Sequence, residues 1–401
     1  MKRYLIVGNG IAGAMAALRT REKDKEGEIH LFTEEAYPLY YRVRFPELIA
    51  GEVTIEEITI HSKEFYQERN ILLHLEEPVI EIDLDKREAR SRSGKAYPFD
   101  LLLLATGGNA FVPPIQGVEK RGMFTLRKMK DALEIREFSK KVREAILVGG
   151  GLVGLEVGGA LLRRGIKVSV IEHHPRILPK QMDWEGSKIL QKKMEAMGFT
   201  FFLNGESQEI IGGERAEGVR LKDGRVVEGQ MILLSAGVRA NIQLAQQMGL
   251  KTRAGIIIND RLETEKEGVF AAGDVAEHRG KCYGIWPAAQ KQGEMAGINM
   301  AGGNEVYQGT VVSNTLKVVG IDLTTSGQMD TEGELEGVVK KDPENCIYRK
   351  LTFKDGRIVG CILLGDVRRK KEILEAIEKQ LDVAQCKDAI LGEDFDFAQV
   401  K

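Results

Sequence analysis

The chain has 401 residues, with 58 lysines and arginines against 60 aspartates and glutamates, and a formal net charge of −2. This length predicts two or three domains with cores of their own and excludes a small disulfide-stapled fold. The balanced charge gives no overall field that would favour nucleic acid or an anionic membrane, and no run approaches 18 apolar residues. The apolar run in MKRYLIVGNG is broken by glycine before it reaches the length of a signal-peptide core. We therefore expect a cytoplasmic protein without a membrane span.

The chain begins with a strand, a glycine turn, a helix and a second strand. Apolar residues at 3–7 predict a buried strand, GNGIAG at 8–13 a tight turn, 11–22 a helix and 29–33 another strand. In such a turn the first glycine permits the bend, the second lets the backbone approach a diphosphate, and the third lets the helix pack on the strand. Glu34 follows about 20 residues after the turn, which suits a carboxylate that accepts ribose hydroxyls.

A second kind of strand pattern follows. Residues 71–92 alternate apolar and polar side chains, which predicts antiparallel strands. A continuous apolar run at 101–104 predicts a buried parallel strand, and it ends in Ala105-Thr106-Gly107-Gly108. Pro113-Pro114 then indicates a linker.

The sequence ILVGGGLVGLE at 146–156 repeats the first pattern. A strand at 146–148 precedes glycines at 149, 151 and 154, a helix to about residue 164, and a strand at 167–171 that ends in Glu172. Two such units predict two dinucleotide sites, one for a bound redox dinucleotide and one for a mobile one. The acid at 172 favours the unphosphorylated ribose of NADH. The following residues either soften that preference or form a solvated turn; they are His173, His174 and Arg176.

The rest of the chain continues this α/β pattern to about residue 306 and then changes to an α+β pattern. An amphipathic helix is predicted around 186–197, a buried strand at 231–234 ending in Ser235-Ala236-Gly237, and another at 269–272 ending in Gly273-Asp274. From about residue 306 the pattern predicts an α+β unit, with strands at 348–353 and 357–364 and a charged helix from about 368 to 380. The basic run Arg368–Lys371 is either a docking patch for an acidic carrier or a solvated helix start.

The four cysteines all lie in the last third of the chain, at 282, 346, 361 and 386. No C-x-x-C spacing and no cluster with histidine suggests a zinc or iron–sulfur site. We expect reduced thiols in packed positions and no bound metal.

Taken in order, these motifs resemble those of the FAD-dependent pyridine nucleotide–disulfide oxidoreductase superfamily. The resemblance covers about residues 3–300, and the motifs that carry it are Gly8–Gly13, Ala105-Thr106-Gly107, Gly149–Gly154 with Glu156, Ala236-Gly237 and Ala272-Gly273-Asp274. Four further stretches are similar to NADH:rubredoxin oxidoreductases and the flavin-binding portion of assimilatory nitrite reductases; they are residues 40–48, 289–294, 348–351 and 360–366.

The resemblance implies an α/β fold with two dinucleotide-binding, Rossmann-like domains and a C-terminal α+β domain. The NAD domain would be inserted in a split FAD domain. The implied boundaries are 1–110 and 235–305 for the FAD-binding domain, 111–234 for the NADH-binding domain and 306–401 for the C-terminal domain. FAD and NADH are the implied cofactors.

The resemblance also implies which residues hold these cofactors. For FAD they are Gly8, Gly10, Ile11, Ala12 and Gly13 at the diphosphate, Glu34 and Glu35 at the adenosine ribose, Arg42 near the diphosphate or flavin, Val79 beside the adenine, Ala105, Thr106, Gly107, Gly237 and Gly273 near the cofactor, and Asp274 at the ribityl chain. For NADH they are Gly149, Gly151, Leu152, Val153, Gly154 and Glu172. Trp286 either packs against the flavin or belongs to the core.

Two departures from the family pattern shape the predicted chemistry. Disulfide-reducing relatives carry two cysteines five apart on the first long helix, and related peroxidases and oxidases carry one near residue 42. This chain has neither. Electrons from NADH should therefore leave the flavin directly and not through a cysteine pair.

The second departure concerns the charges near the flavin. Glu156 would approach the nicotinamide and flavin rings, and Glu47 stands where ferredoxin-reductase relatives carry a lysine that pairs with this glutamate. Two acids there would repel unless Arg44 separates them or one is protonated. We therefore take Glu156, Arg44 and Glu47 as the candidate catalytic residues.

The sequence thus predicts an FAD-dependent NADH oxidoreductase that passes electrons, without a redox-active disulfide, to a small carrier such as rubredoxin or ferredoxin. One alternative is an NADH oxidase or peroxidase, which the missing loop cysteine argues against. The other is a flavin-dependent redox-sensing binding protein. A monomer or homodimer that binds no nucleic acid is expected.

Overall fold

The first strand of the chain lies at the centre of a parallel five-stranded sheet, and residues 1–110 supply four of its five strands. The computed structural model describes residues 1–392 and 395–397. Its first elements are β1 (Arg3–Val7), α1 (Ile11–Lys23), β2 (Glu28–Phe32), α2 (Phe45–Ala50), α3 (Ile55–Ile58), α4 (Lys63–Gln67), β3 (Ile71–His74), β4 (Val79–Asp83), β5 (Glu88–Ser91), β6 (Ala96–Pro98), β7 (Leu101–Leu104) and β8 (Gly108–Ala110).

The middle of the chain builds a second parallel sheet and a small antiparallel one. Its elements are β9 (Met123–Thr125), α5 (Met129–Phe138), β10 (Glu144–Val148), α6 (Leu152–Arg163), β11 (Lys167–Glu172), α7 (Trp184–Ala196), β12 (Phe199–Leu203), β13 (Ser207–Ile211), β14 (Gly218–Leu221), β15 (Val226–Glu228), β16 (Met231–Leu234) and β17 (Val238–Ala240).

The last part of the chain returns to the first sheet and then forms an antiparallel sheet. Its elements are α8 (Gln243–Gln247), β18 (Ile256–Ile258), β19 (Val269–Ala271), β20 (Ala276–His278), α9 (Trp286–Met300), β21 (Ser313–Val318), β22 (Ile321–Gly327), β23 (Glu336–Asp342), β24 (Ile347–Lys354), β25 (Arg357–Leu364) and α10 (Lys370–Lys379). Residues 393, 394 and 398–401 of the predicted C-terminal domain lie outside the described residues.

The strand orders show how one chain forms two separate parallel sheets, one for each predicted dinucleotide-binding unit. The first sheet has the order β19-β7-β1-β2-β3, so a strand from beyond residue 268 joins strands from the first hundred residues. The second sheet has the order β12-β11-β10-β16-β9 and is parallel throughout. The third has the order β21-β22-β25-β24-β23 and is antiparallel. This mixed α/β architecture confirms the predicted fold class.

One strand prediction is partly wrong. Residues 71–92 were expected to be antiparallel, and β4, β5 and β6 are, but β3 pairs in parallel with β2 at the edge of the first sheet. The physical reason is that an edge strand exposes one face even in a parallel sheet. Ile71 is buried and Leu72 is 46% exposed, so the alternation looks like that of an antiparallel strand.

The apolar core around the second sheet continues into the third. It includes Met182 and Leu190 beside β11 and α7, and also Val319, Tyr348 and Leu364 of the C-terminal sheet. Across residues 1–392 and 395–397, none of the helices combines the length and apolar content that a bilayer crossing would need.

Candidate functional site

The first glycine turn joins β1 to α1 and is packed against the end of β7. A Cβ on Gly8, whose φ is +116°, would lie 2.1 Å from the Ala105 carbonyl oxygen, and one on Gly13 would lie 1.8 Å from the Gly8 oxygen. Gly10 differs, because a Cβ there would meet nothing within 4 Å. A side chain at either outer glycine would thus clash with the protein's own backbone. Gly10 instead faces open space at the N-terminus of α1, where backbone N–H groups can bind an anion.

The second glycine turn, between β10 and α6, has the same construction. A Cβ on Gly149, at φ +114°, would lie 2.4 Å from the Ser235 carbonyl oxygen, and one on Gly154 would lie 2.8 Å from the Gly149 oxygen. Gly151 again has nothing within 4 Å. Leu152 and Val153 form the first turn of α6, and Val153 is 52% exposed. Each turn therefore fits the end of the strand beside it, β7 for the first and β16 for the second.

A cavity of about 340 Å³ opens beside the first turn. Nine of the predicted FAD-binding residues line it: Gly8, Gly10, Glu34, Glu35, Arg42, Val79, Ala105, Thr106 and Gly107. These residues come from β1, the end of β2, the loop before α2, β4 and the end of β7. The strand ends thus bring together residues up to about one hundred positions apart, as is usual for the carboxyl edge of a parallel sheet.

Two buried donors that line this cavity have no hydrogen-bond partner among the described residues. They are Nε of Arg42 and Nδ2 of Asn9. Asn9 stands between Gly8 and Gly10, and its Oδ1 accepts a hydrogen bond of 3.0 Å from the hydroxyl of Tyr66. Arg42 also forms an ion pair with Glu35, with Nη2 3.9 Å from a carboxylate oxygen, but its Nε–H faces no acceptor. Buried donors without acceptors are costly, so this Nε–H and the amide of Asn9 beside open space suit an anionic ligand such as a diphosphate.

The two predicted ribose acceptors differ in their surroundings. The Glu35 carboxylate accepts from the Tyr40 hydroxyl at 2.7 and 2.9 Å and from the Met129 backbone N–H at 3.1 Å. Glu34 is more exposed and forms an ion pair of 2.7 Å with Lys128. Glu34 therefore has the more available carboxylate, and Glu35 chiefly holds the loop before α2.

The structure adds Arg127, which the sequence analysis did not single out. It lines the cavity, and its guanidinium donates to the Gly108 carbonyl at 2.8 Å and to the Asp274 carboxylate at 2.5 Å. Asp274 follows β19 and is thereby joined to the segment before α5. No motif surrounds Arg127, so only the tertiary contact reveals it.

Other predicted FAD-binding residues lie in the turns after β7, β16 and β19 and at the start of α1. Gly107, Gly237 and Gly273 have φ values of +64°, +103° and +84°, which suit glycine. The hydroxyl of Thr106 donates to the Asn241 carbonyl at 2.8 Å. Ile11 and Ala12 begin α1, where Ala12 is buried and a Cβ on Gly273 would lie 3.0 Å from its methyl group.

Trp286 is half-buried at the start of α9 and stacks on Tyr41, with ring centroids 4.8 Å apart and planes inclined by 14°. It is therefore not a core residue. Tyr41 is 42% exposed and directly precedes Arg42, so the aromatic pair lies at the surface next to one of the basic residues that line the cavity.

The three candidate catalytic residues fall into a pair and a single buried acid. Arg44 donates to the Glu47 carboxylate at 2.6 and 2.8 Å. The Glu156 carboxyl is partly buried. Burial, together with the Glu47 charge, raises its pKa to about 7, although a hydrogen bond from the Val319 backbone acts in the opposite direction. Its Oε1 has no partner among the described residues. Thus Arg44 balances Glu47, while Glu156 can hold a proton near neutral pH.

Glu172 ends β11 and is almost fully buried. Its two oxygens accept from the backbone N–H of Gly150 at 2.7 Å and of His174 at 2.8 Å. Arg176 is also buried; its Nη2 pairs with Glu332 and its guanidinium lies over the Trp184 ring, while its Nε has no partner among the described residues. The charge of Arg176 is therefore already balanced by a carboxylate.

A wider cleft of about 600 Å³ lies at β18 and β20, away from all of these residues. Its arginines face carboxylates within the chain, as in the pairs Arg253–Glu277 and Arg279–Asp260. Both of these guanidinium groups therefore already have carboxylate partners.

Comparison with known proteins identifies the family. Residues 2–293 match the pyridine nucleotide-disulphide oxidoreductase family, and residues 313–381 match the rubredoxin NAD+ reductase C-terminal domain. Nitrite reductase [NAD(P)H] from Bacillus subtilis is 34% identical over 96% of this chain but only 48% of its own length. The chain thus spans about half the length of that relative.

Two other relatives are matched over most of their length. NADH-rubredoxin oxidoreductase from Clostridium acetobutylicum is 29% identical over 97% of this chain and 98% of its own. A crystal structure of that enzyme from the same organism has a TM-score of 0.82 at 27% identity, covering 96% and 97% of the two chains. An NADH oxidase from Methanocaldococcus jannaschii is 30% identical over 92% of this chain and 89% of its own.

The cofactors implied by this match, FAD and NAD(H), fit the observed residues. The two glycine turns leave open space at helix N-termini, and the unpaired donors beside the first turn suit a diphosphate. Because the first family match covers well over half of the chain, the protein belongs to the pyridine nucleotide-disulphide oxidoreductase enzymes.

Proposed function

We propose that this protein is an NADH-dependent flavoprotein reductase that passes electrons to a small carrier protein such as a rubredoxin or ferredoxin. The observation that carries the proposal is the pair of equivalent glycine turns in a chain whose four cysteines form no disulfide. When bound, FAD supplies the ability to accept a hydride and to release electrons singly. The domain boundaries, the site residues, the cytoplasmic location and the oligomeric state stay predictions.

In this proposal the first cavity holds the FAD. Gly10, Asn9 and Arg42 would bind the diphosphate, because they offer an open helix N-terminus, an amide donor and a guanidinium whose buried Nε–H has no partner. Glu34 accepts the ribose hydroxyls, and Val79 contacts the adenine. Asp274, held by Arg127, accepts the ribityl hydroxyls.

The second turn holds NADH in the same way. Gly151 lets the diphosphate approach the N-terminus of α6, and Glu172 accepts the ribose hydroxyls of the adenosine. A buried carboxylate at that position repels a 2′-phosphate, and the charge of Arg176 is already balanced by Glu332. NADH is therefore the preferred donor.

Glu156 retains a proton near neutral pH at the start of α6. A neutral acid at this position would avoid repulsion with Glu47 and would offer a hydrogen-bond donor to the rings of the bound cofactors. Glu156 would orient the nicotinamide and hold this proton, without forming a covalent bond to either cofactor.

The cysteines do not take part. Burial raises the pKa of all four thiols, to about 12 for Cys361, so they stay protonated at neutral pH and are poor nucleophiles. None is bonded to another. With no thiol of the chain to receive them, electrons from bound FAD would go to an external acceptor.

A carrier protein is favoured as that acceptor by the C-terminal match, which is to a rubredoxin NAD+ reductase domain. A second candidate is oxygen, because one relative is an NADH oxidase of similar length. The chain carries no cysteine near residue 42, which disfavours oxygen and peroxide chemistry of the cysteine-dependent kind.

The test compares acceptors under one set of conditions. FAD-loaded protein is supplied with NADH and, separately, with rubredoxin, ferredoxin, oxygen or hydrogen peroxide, and NADH consumption is recorded. We expect at least one carrier to be reduced about tenfold faster than oxygen or peroxide, a difference equal to about 1.4 kcal/mol of barrier. Equal or faster turnover with oxygen or peroxide would favour the oxidase function.

A further inference from the structure

The loop between β11 and α7 rests on the second glycine turn. We name residues 173–183 the nucleotide loop. Its Leu178 N–H donates to the Gly150 carbonyl at 3.0 Å, and the Ile177 side chain lies 3.4 Å from where a Gly150 Cβ would stand. The Gly150 N–H in turn donates to Glu172. The position of this loop therefore fixes the turn and the buried carboxylate together.

The far end of the nucleotide loop is bound to the C-terminal sheet through Asp183. One oxygen of Asp183 caps α7 by accepting from the Gly186 N–H at 3.0 Å. The other accepts from the Tyr348 hydroxyl at 2.6 Å and lies 3.1 Å from Nζ of Lys350. A helix cap is thus shared between two regions more than 160 residues apart in sequence.

Lys350 completes this cluster from β24. Its Nζ also donates to the Asp330 carbonyl at 2.8 Å and lies 3.5 Å from the Asp330 carboxylate. The side chains of Lys350 and Asp330 are only 8% and 4% exposed, so water screens the charges little. A buried ammonium with two carboxylates and a carbonyl has one well-defined geometry, which favours a single position of the loop.

The packing around the cluster is equally specific. A Cβ on Gly186 would lie 2.9 Å from the Tyr348 ring, so the absence of a side chain there lets the tyrosine reach Asp183. Burial and the hydrogen bond to Asp183 raise the pKa of Tyr348, which keeps its hydroxyl a donor. At the rim, Arg176 pairs with Glu332 and Glu185 with Lys341. The same two regions are therefore joined at three places.

We propose that Tyr348 and Lys350 are positioning residues for NADH: through Asp183 they fix the nucleotide loop against the second glycine turn. This inference rests on the proposed function, because it assigns to the C-terminal sheet the role of setting the affinity for the donor. The chemical step is not affected, since neither side chain lines the turn or the first cavity.

The test uses the FAD-loaded full chain and three substitutions on β24. Lys350→Met removes the buried charge, and Tyr348→Phe removes only the hydroxyl. Lys354→Met is the matched control, because Lys354 is an exposed lysine on the same strand. Each protein is mixed anaerobically with increasing NADH, and both the half-saturating concentration and the limiting rate of flavin bleaching are measured, with FAD content determined separately.

We expect Lys350→Met to raise the half-saturating NADH concentration about tenfold, because it removes a buried ion pair. Tyr348→Phe should raise it about threefold, because it removes one hydrogen bond to the Asp183 carboxylate and leaves the ion pair in place. The limiting rate should stay within about twofold of wild type, and Lys354→Met should match wild type. If Lys350→Met does not fold, Tyr348→Phe, which keeps the packed ring, decides the question.

Unchanged half-saturation in a folded, FAD-loaded Tyr348→Phe or Lys350→Met protein would overturn the inference and leave the proposed function intact. A lower limiting rate without a change in half-saturation would also overturn it. If NADH fails to bleach the wild-type flavin, the proposed function itself is wrong, and the inference is overturned with it.

Discussion

Glu156 and Val319 are joined across the boundary between α6 and the C-terminal sheet: the Val319 backbone hydrogen-bonds to the Glu156 carboxyl. Gly159, three residues further along α6, makes this contact possible, since a Cβ there would lie 2.8 Å from the Val319 side chain. The turn between β21 and β22 thus contacts this carboxyl, and burial of the carboxyl is the main cause of its pKa of about 7.

This raised pKa predicts a pH-dependent cost to stability. A carboxyl whose pKa is higher in the folded than in the unfolded state stabilises the fold fully below its unfolded pKa, near 4.5, and loses that contribution as pH rises through about 7. Glu156→Gln removes the ionisation. We therefore expect it to match wild type near pH 4.5 and to be more stable by about 2 kcal/mol near pH 8, after allowance for partial exposure.

The measurement is the free energy of unfolding in urea at several pH values, with the exposed Glu134→Gln as the control substitution. A difference between Glu156→Gln and wild type that stays constant between pH 5 and 8 would contradict the assignment of this pKa.

The two open glycines allow binding to be separated from folding. Gly10 and Gly151 have ordinary negative φ values of −78° and −85° and no neighbouring atom within 4 Å, so Gly10→Ala and Gly151→Ala should leave the melting temperature nearly unchanged. The added methyl group would occupy the space of a diphosphate. We expect Gly10→Ala to lower FAD content and Gly151→Ala to weaken NADH binding about tenfold or more without loss of FAD.

The reverse controls are Gly8→Ala and Gly149→Ala, which clash with strand-end carbonyls and should destabilise the fold itself. Loss of FAD from Gly151→Ala, or of NADH binding alone from Gly10→Ala, would show that the two turns are assigned to the wrong dinucleotides.

Arg42 is predicted to bind the FAD diphosphate. Arg42→Met removes the guanidinium whose buried Nε has no partner in the described chain, and should weaken FAD binding about a hundredfold, as expected for loss of charge-assisted hydrogen bonds. Arg42→Lys should restore only part of this affinity, because an ammonium lacks the planar fork. The dissociation constant of FAD is measured by fluorescence, with Arg90→Met on β5 as an exposed control. Equal affinity in Arg42→Met and wild type would place the diphosphate elsewhere.

Glu172 is predicted to select NADH over NADPH. Glu172→Gln keeps one acceptor oxygen for the two backbone N–H groups but removes the negative charge. We expect the half-saturating NADH concentration to rise about tenfold and the preference for NADH over NADPH to narrow by a similar factor. FAD content should not change. An unaltered coenzyme preference, measured as the ratio of the two bleaching efficiencies, would show that selection lies outside Glu172.

Much of the fold could be predicted because local patterns and tertiary structure agree here. The strands at Arg3–Val7, Leu101–Leu104 and Met231–Leu234 were predicted with the bounds that the structure shows, since continuous apolar runs ending in glycine turns have few other interpretations. The amphipathic helix predicted at 186–197 is α7, two residues longer at its start. The single wrong pairing concerns β3, where exposure at a sheet edge imitates an antiparallel pattern.

The site could be predicted where a motif carries it and not where tertiary contacts do. The glycine turns and Glu172 have fixed spacings, so they were found from sequence. Arg127 and Lys350 have no such signature. Their partners, Asp274 and Asp183, are 147 and 167 positions away, and nothing next to either basic residue in the sequence distinguishes it from the other lysines and arginines. The basic run at 368–371 was equally ambiguous, and in the structure Arg368 bonds to Asp366.

The central claim, that electrons pass through the flavin without a cysteine pair, is tested most directly by an anaerobic reductive titration. FAD-loaded protein is titrated with dithionite, the flavin absorbance is followed, and the electrons taken up are counted for each FAD. The predicted result is full reduction after about two electrons per FAD, and equally complete reduction of a second, oxidised sample by one equivalent of NADH. Uptake of about four electrons per FAD would reveal a second two-electron centre, such as a disulfide, and would contradict the account.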